Sequence, residues 1–451
     1  MTALLAVVVA VVVLARPGGL GGGSQTTAAS STGAAGTHAG RSGQTSSSRP
    51  RKTGRRDGPR VAAPPAATTR LTQALTRAMS QAGPASGALV LDLGTGSVLY
   101  ARRAGVARPP ASIEKLWTTT ALLSRLSPDT RLHTSVLGTG RLRGGVWHGD
   151  LYLRGGGDPT FGEPTFNHYY DDDSGATTTA LAAQLVARGI RRVTGRLYGD
   201  ETLFDRRRGG LMTKYLPDVP DFGGQLSALT FDHGTTARGY NPATFAAREL
   251  ALVLRGSHIH VTASRHDGRT PARAHLLATV SSPTLSTMLR LMNVPSDDLF
   301  ADLFAKQLGV LFGSGGTISA GAEVISDTIA SRFGLHPRIL DGSGLSRDDR
   351  SSPLQIVTLL KALWRTPAGR VLVSSLPVVG RDGTVASIAT KTPAAGRCVA
   401  KTGSLDDVTN LAGYCAARGR RSLAFAIFAD GPENGIAFPL EGRMIAAIAR
   451  Y

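Results

Sequence analysis

Lysine is scarce in this chain. Of its 451 residues, 51 are Lys or Arg, and only seven of these are Lys. Arg stays protonated in proteins, whereas Lys loses its proton readily when its surroundings favour the neutral amine. Any chemistry that needs an amine as a base is therefore confined to seven positions, among them Lys115 and Lys401.

Long hydrophobic runs are also missing. The longest apolar segment, residues 3–15, has 13 residues. It is too short to span a bilayer comfortably and fits the hydrophobic region of an export signal. No cation precedes it, and the small-residue cleavage site ending at Ala15 is weak, so an uncleaved anchor is the alternative. We expect residues 1–15 to be a signal peptide or anchor. We expect the protein to be exported and to lie outside the cytoplasm, in the cell wall or associated with the membrane.

Residues 16–69 have almost no apolar side chains and are rich in Gly, Ser, Thr and Ala, which predicts a disordered linker. Residues 1–69 contain eight Lys or Arg and one Asp, so they carry +7 of the net charge of +19. Aromatic residues make up only 6%, and no stripe of basic and aromatic residues follows, which argues against nucleic acid as a partner. The basic segment instead suits contact with an anionic wall polymer or membrane surface.

A serine and a lysine stand three residues apart in "RPPASIEKLWTTTALL", at the start of a predicted helix. This spacing places Ser112 and Lys115 on one helical face, near an N-terminus that favours negative charge. A lysine at that distance can activate a serine hydroxyl if it gives up its proton. Taken alone, the pair is more typical of an N-capping Ser followed by a surface Lys.

Two further motifs favour the catalytic interpretation. Lys401, Thr402 and Gly403 form a K-T-G sequence on a predicted strand, where Gly403 would let a ligand approach the strand edge. Lys391 lies in a similar "KTP", but Pro removes the backbone donor that such an edge needs. Ser296, Asp297 and Asp298 precede an amphipathic helix and supply a polar loop.

In this chain order, S-x-x-K, a Ser-Asp loop and K-T-G are the signature of penicillin-recognising serine enzymes. The sequence resembles the class C low-molecular-weight penicillin-binding proteins, the D-alanyl-D-alanine carboxypeptidase and endopeptidase family. The resemblance covers about residues 70–451. It also includes segments similar to that family, namely "LYLRGGGDPTF", "ARGIRRVTGRLYGD", "DGSGLSRDD" and "LPVVGRDGTV".

The resemblance implies an α/β fold of the α+β type, in which helices flank a central five-stranded antiparallel sheet. It assigns residues 70–139 and 276–451 to the catalytic domain. Residues 140–275 would form inserted, mostly β domains. The implied activity is hydrolysis of peptidoglycan stem peptides, with β-lactams as covalent inhibitors and no cofactor or metal.

The family mechanism gives each motif residue a role. Ser112 attacks the carbonyl between two D-alanines, Lys115 takes its proton, and Ser296 relays a proton to the leaving amine. Lys401 and Thr402 would hold the terminal carboxylate of the substrate. The backbone N–H groups of Ser112 and, by resemblance, a serine in the K-T-G strand would form the oxyanion hole.

Three further residues acquire substrate-binding roles by resemblance. Ser404 supplies the second oxyanion-hole N–H. Asp158 occupies the position that binds the free amino group of the third-residue side chain, although a turn residue before Pro159 is the alternative. Arg347 stands where a substrate contact is expected. By contrast, residues 171–173 are predicted to form a solvated acidic loop.

Asp298 departs from the family pattern, which has Asn at the third position of a Ser-x-Asn loop. No Ser-x-Asn occurs anywhere in the chain. An Asn amide both donates and accepts, whereas an ionised Asp only accepts and favours charged neighbouring lysines. The alternative function is therefore a catalytically weak module that binds stem peptides or penicillins.

The chain has two cysteines, Cys398 and Cys415, on the two predicted strands around K-T-G. In a cytosolic protein they would be core thiols. In an exported protein they are a candidate disulfide beside the active site.

Overall fold

The computed structural model describes residues 65–218, 223–237, 239–431 and 434–451. The predicted signal peptide or anchor and residues 16–64 of the basic linker lie outside these ranges. The last five residues of the predicted linker, 65–69, are helical, because the first helix begins at Pro65 rather than near Thr69. Pro is well suited to the first turn of a helix, where no intrahelical N–H bond is lost. Among the described residues, no helix combines the length and the apolar character needed to cross a membrane.

The strands form two sheets. In chain order they are β1 (Gly87–Asp92), β2 (Val98–Arg102), β3 (His133–Arg143), β4 (Val146–Arg154), β5 (Arg192–Asp200), β6 (His260–Ala263), β7 (His275–Ser281), β8 (Cys398–Leu405), β9 (Val408–Ala416) and β10 (Ser422–Asp430). The first sheet has the order β2-β1-β10-β9-β8, and all its pairs are antiparallel. The predicted five-stranded antiparallel sheet is confirmed, with β8 at one edge.

Helices surround both sheets. They are α1 (Pro65–Gln81), α2 (Lys115–Arg125), α3 (Pro164–Tyr170), α4 (Thr178–Ala187), α5 (Pro242–Gly256), α6 (Leu285–Asn293), α7 (Asp298–Phe312), α8 (Ile318–Phe333), α9 (Pro353–Leu363), α10 (Pro367–Ser375) and α11 (Asn434–Arg450).

The first sheet is buried on both faces, and β10 shows the alternation that produces this. Phe425 and Ile427 pack with α1 and α11 in one hydrophobic cluster. Ala424, Ala426 and Phe428 pack with α2, α7 and α9 in another. Because successive side chains of a strand point to opposite faces, one nine-residue strand contributes to two cores. The helix that carries Lys115 thereby lies against the face opposite α1.

The second sheet has the order β6-β5-β4-β3-β7 and is mixed, since β5 pairs in parallel with both β4 and β6. The stretch 140–275 contains α3, α4 and α5, so the expectation of mostly β structure there is too simple. The boundary predicted after residue 139 falls inside β3, and the boundary before residue 276 falls inside β7. Both strands pair with each other in this sheet. The interpretation of this stretch as inserted domains stays a prediction.

Candidate active site

Ser112 lies in a 3-10 helix, Ala111–Glu114, which leads directly into α2 at Lys115. Ala111 has a φ of 49°, a left-handed conformation that is unfavourable for a residue with a Cβ atom. Such strain persists where the surrounding structure enforces it, and it is concentrated at functional sites. Ser112 itself is partly exposed, unlike the buried Ala111 and Ile113 on either side of it.

Lys115 is completely buried beneath this turn. Its Nζ lies 3.0 Å from Ser112 Oγ and donates to the carbonyl oxygen of Ser343 at 2.8 Å. It also donates to the carboxylate of Asp298, with which it forms an ion pair. The predicted S-x-x-K pair is therefore in contact, and the surface position that a merely capping arrangement would give Lys115 is excluded.

The loop before α7 brings three polar residues to the same place. Ser296 has a φ of 68°, and Asp297 caps α7 by accepting from the backbone N–H of Phe300 at 2.8 Å. Asp298 is the first residue of α7 and its side chain is 16% exposed. Burial raises the pKa of Asp298, although the positive charge of Lys115 partly opposes this effect.

Lys401 approaches this loop from β8 and is also completely buried. Its Nζ lies 2.7 Å from Ser296 Oγ and 2.9 Å from the carbonyl oxygen of Thr402. Burial holds the pKa of Lys401 well below its ordinary value. The positive charge of Lys115 lowers it further, while Asp298 acts in the opposite direction.

The rest of the K-T-G strand borders the nucleophile turn. Thr402 Oγ1 donates to Thr384 Oγ1 at 2.8 Å, and Ser404 is exposed. A Cβ atom at Gly403 would lie 2.5 Å from the carbonyl oxygen of Pro110. Gly403 thus allows the backbone before Ser112 to pack directly against β8. The protein's own backbone therefore needs a glycine here, and the additional role of Gly403 in admitting a ligand stays a prediction.

The β8–β9 hairpin is fastened at both ends. Cys398 and Cys415 are cross-strand partners joined by a disulfide. At the turn, Arg347 pairs with Asp407 at 2.7 Å and with Asp406 at 3.4 Å. Arg347, predicted as a substrate contact, is therefore ion-paired to the hairpin in this structure.

Asp158 lies in a separate acidic group. Its Oδ1 accepts from the backbone N–H of Thr160 at 2.9 Å and from the Thr160 hydroxyl at 2.7 Å, and burial raises its pKa to about 6. Asp171 is 1% exposed. Burial and then the charges of Asp158 and Asp297 raise its pKa to about 8. The prediction that Asp171 is solvated is wrong. The influence of Asp297 places this acidic group next to the loop before α7.

A second set of buried carboxyl groups lies behind Lys115, and the sequence did not reveal it. Burial raises the pKa values of Glu114 and Asp302, the charge of Asp341 raises them further, and the charge of Lys115 opposes both effects. Burial also raises the pKa of Asp349 to about 11. The only sequence signal for this set is "DGSGLSRDD", which contains Asp341 and Asp349. Its similarity to the penicillin-binding-protein family did not predict that these carboxyl groups are buried.

Ser112, Lys115, Ser296, Asp298 and Lys401 thus lie together at one place in the fold. Comparisons with known proteins identify the family. The family model described as the D-Ala-D-Ala carboxypeptidase 3 (S13) family matches residues 69–237 and 221–448. This chain belongs to the S13 family.

Two S13-type relatives cover most of the chain. A D-alanyl-D-alanine carboxypeptidase from an Actinomadura strain is 29% identical over 82% of this chain and 82% of that protein. Carboxypeptidase DacB from Mycolicibacterium smegmatis is 30% identical over 76% of this chain and 75% of that protein. The family predicted from the motifs is confirmed, and these matches favour an enzyme over a binding module.

A solved structure supports the fold. The crystal structure of penicillin binding protein 4 from Haemophilus influenzae has a TM-score of 0.70 and 19% sequence identity. The similarity covers 84% of this S13 chain and 99% of the other. The penicillin-binding-protein fold expected from the sequence is confirmed.

Proposed function

We propose that this protein is a serine-type D-alanyl-D-alanine carboxypeptidase with endopeptidase capacity, acting on peptidoglycan stem peptides through an acyl-enzyme on Ser112. The observation that carries the proposal is the hydroxyl of the partly exposed residue Ser112, which lies 3.0 Å from a buried lysine amine. A serine hydroxyl is a weak nucleophile until a nearby base removes its proton. The site supplies two buried amines for this task, on Lys115 and Lys401.

The remaining site residues have binding roles in this proposal. Backbone N–H groups of Ser112 and Ser404 stabilise the oxyanion, and losing one such donor typically costs 100-fold or more in rate. Thr402 binds the substrate beside the oxyanion hole, and Asp158 binds a cationic side chain of the stem peptide. Arg347 binds substrate only after giving up its contacts with the hairpin turn. Water then hydrolyses the acyl-enzyme.

Three further features complete the proposal. β-Lactams acylate Ser112 and inhibit the enzyme, since they present a reactive carbonyl to the same nucleophile. Residues 1–15 direct export as a signal peptide or anchor, so that the enzyme works outside the cytoplasm. The basic segment 16–69 contacts an anionic wall polymer or membrane surface, as its charge suggests.

Labelling with a fluorescent penicillin, followed by peptide mapping, tests the proposed function. We expect one covalent label on the peptide that contains Ser112, and release of D-alanine from a stem pentapeptide. The variant Ser112→Ala should neither bind the label nor release D-alanine. Its melting temperature should equal that of the native protein. A label on another serine, or none on folded native protein, would contradict the proposal.

A further inference from the structure

Each of the two serines of the site contacts one buried lysine, and the charged groups around these two lysines differ. Lys115 forms an ion pair with Asp298. Burial and the charge of Asp341 raise the pKa values of the neighbouring Glu114 and Asp302, which favours their neutral forms, so Asp298 is the carboxylate that pairs with Lys115. A buried charge is tolerated when it is paired with an opposite charge and hydrogen-bonded. The surroundings of Lys115 therefore favour its ammonium form.

Lys401 is equally buried, but no carboxylate of the described ranges lies within ion-pair distance of it. Its two polar neighbours are the Ser296 hydroxyl at 2.7 Å and the Thr402 carbonyl oxygen at 2.9 Å. An ammonium group has three N–H donors to satisfy. A neutral amine would donate to the carbonyl oxygen and accept the hydroxyl proton of Ser296 with its lone pair.

The nearby charges lead to the same assignment. The charged groups that act on Lys401 are Lys115, which opposes a second ammonium, and Asp298, which favours one. Asp298 already contacts the amine of Lys115 directly. The single negative charge of Asp298 can balance one of the two buried lysines as an ammonium. Because Asp298 contacts Lys115 directly, we assign the ammonium to Lys115 and the neutral amine to Lys401.

We propose that Lys401, acting through Ser296, is the base that takes up the proton of Ser112, while Lys115 remains an ammonium beside Asp298. This inference rests on the proposed function. It reverses the assignment made from the sequence, in which Lys115 is the base and Lys401 the cation. The charge at Asp298, where the family pattern expected from the sequence has Asn, is the reason for the reversal.

The proton route is balanced over one acylation. In this proposal, as Ser112 Oγ forms its bond to the substrate carbonyl carbon, its proton passes to Ser296 Oγ, and the Ser296 proton passes to the amine of Lys401. The structure shows the second of these contacts, Ser296 Oγ with Lys401 Nζ at 2.7 Å. When the carbon–nitrogen bond breaks, the same route returns a proton to the leaving amine. Lys401 is neutral before and after, and no further reactant is consumed. The ammonium of Lys115 donates to Ser112 Oγ throughout and stabilises its developing negative charge.

The decisive measurement is an NMR titration of the full-length protein labelled with ¹³C at lysine Cε. With seven lysines in the chain, few signals overlap, and Lys115→Arg and Lys401→Arg assign the two of interest. We expect Lys401 to lose its proton at least one pH unit below Lys115. If Lys115 loses its proton first, or if the two titrate together, the proposal is overturned. The measurement needs no activity, so it remains informative even if the proposed function fails.

Acylation kinetics provide a second test. Lys401→Arg keeps the cation but removes the proton acceptor, so the second-order rate of penicillin acylation should fall at least 100-fold at every pH. Adding Asp298→Asn to this variant should restore part of the rate, because Lys115 is then no longer held as an ammonium. Lys391→Arg, the same substitution at an exposed lysine, is the matched control and should leave the rate unchanged. A Lys401→Arg protein that is folded and keeps most of its rate would refute the proposal.

Discussion

Replacing Asp298 by Asn removes a charge from the site with almost no change of shape. The carboxylate of Asp298 forms an ion pair with Lys115, and its charge raises the pKa of Lys401 against the lowering effect of burial. The Asn amide is uncharged, so both lysines lose a partner that favours their ammonium forms. An amine base is active only when neutral, and we therefore expect Asp298→Asn to acylate faster at neutral pH.

The expected size of the effect follows from the contact. A hydrogen bond to a charged group is worth about 1.5–3 kcal/mol, and about 1.4 kcal/mol corresponds to a factor of ten in an equilibrium. Lys115 loses the full contact and, no longer held as an ammonium, becomes a second amine that can accept the proton of Ser112, whose Oγ is 3.0 Å away. Lys401 loses only the longer-range influence of Asp298, because its own contacts are with Ser296 and Thr402. We expect acylation about tenfold faster at pH 7, with the low-pH limb of the rate profile shifted towards lower pH.

The assay is the second-order rate of acylation by a fluorescent penicillin, measured from pH 5 to 9 for both forms. Asp348→Asn, the same change at an exposed position of a neighbouring loop, controls for the loss of one negative charge and should leave the profile unchanged. If Asp298→Asn is folded and acylates no faster at any pH, a carboxylate at this position does not handicap the site.

Three further predictions concern the surroundings of the site. Gly403→Ala should destabilise the protein by about 1–3 kcal/mol and slow acylation, because its Cβ would lie 2.5 Å from the Pro110 carbonyl oxygen; wild-type values in denaturant titration and labelling would contradict this. Reducing the Cys398–Cys415 disulfide, which spans 17 residues, should lower the free energy of unfolding by about 3 kcal/mol, and equal denaturation midpoints would refute that estimate. Asp158→Asn should stabilise the protein at pH 7 by up to about 3 kcal/mol, since the raised pKa of about 6 means that ionising Asp158 disfavours the folded state as pH rises from 4 through 6. Melting curves of both forms at pH 4 and pH 7 would show a gain confined to the higher pH, and no difference at pH 7 would contradict the reasoning.

The sequence predicted contacts between residues that lie close together along the chain. Gly94, Thr95 and Gly96 separate two apolar runs, a pattern typical of a tight turn between antiparallel strands, and they join β1 to β2. The three-residue spacing of Ser112 and Lys115 predicted that their side chains meet, because a helical turn fixes that geometry. The scarcity of lysine was a useful signal too, although it is not specific to catalysis. Lys306 is another buried lysine, and its Nζ lies 2.6 Å from the carboxylate of Asp205. Neither residue belongs to a predicted motif.

The sequence was uninformative where a side chain's surroundings come from distant segments. Asp171 is the first of three consecutive Asp residues, a pattern typical of solvated loops, yet it is buried, and the charges of Asp158 and Asp297 from elsewhere in the chain add to the effect of burial on its pKa. The contacts of Lys115 likewise include the carbonyl oxygen of Ser343, 228 residues away. The pairing of β1 with β10 joins opposite ends of the described chain, and no local pattern predicts such a partner.

The fastening of the β8–β9 hairpin also determines how the cleft can move. The disulfide between Cys398 and Cys415 closes one end, Arg347 ties the turn at the other, and Gly403 leaves no gap against the turn that carries Ser112. The hairpin therefore cannot fray strand by strand. We expect its two strands to move together as one unit, so their amide hydrogens should exchange together and slowly. The salt bridges of Arg347 with Asp406 and Asp407 are the fastening that can open without breaking a covalent bond.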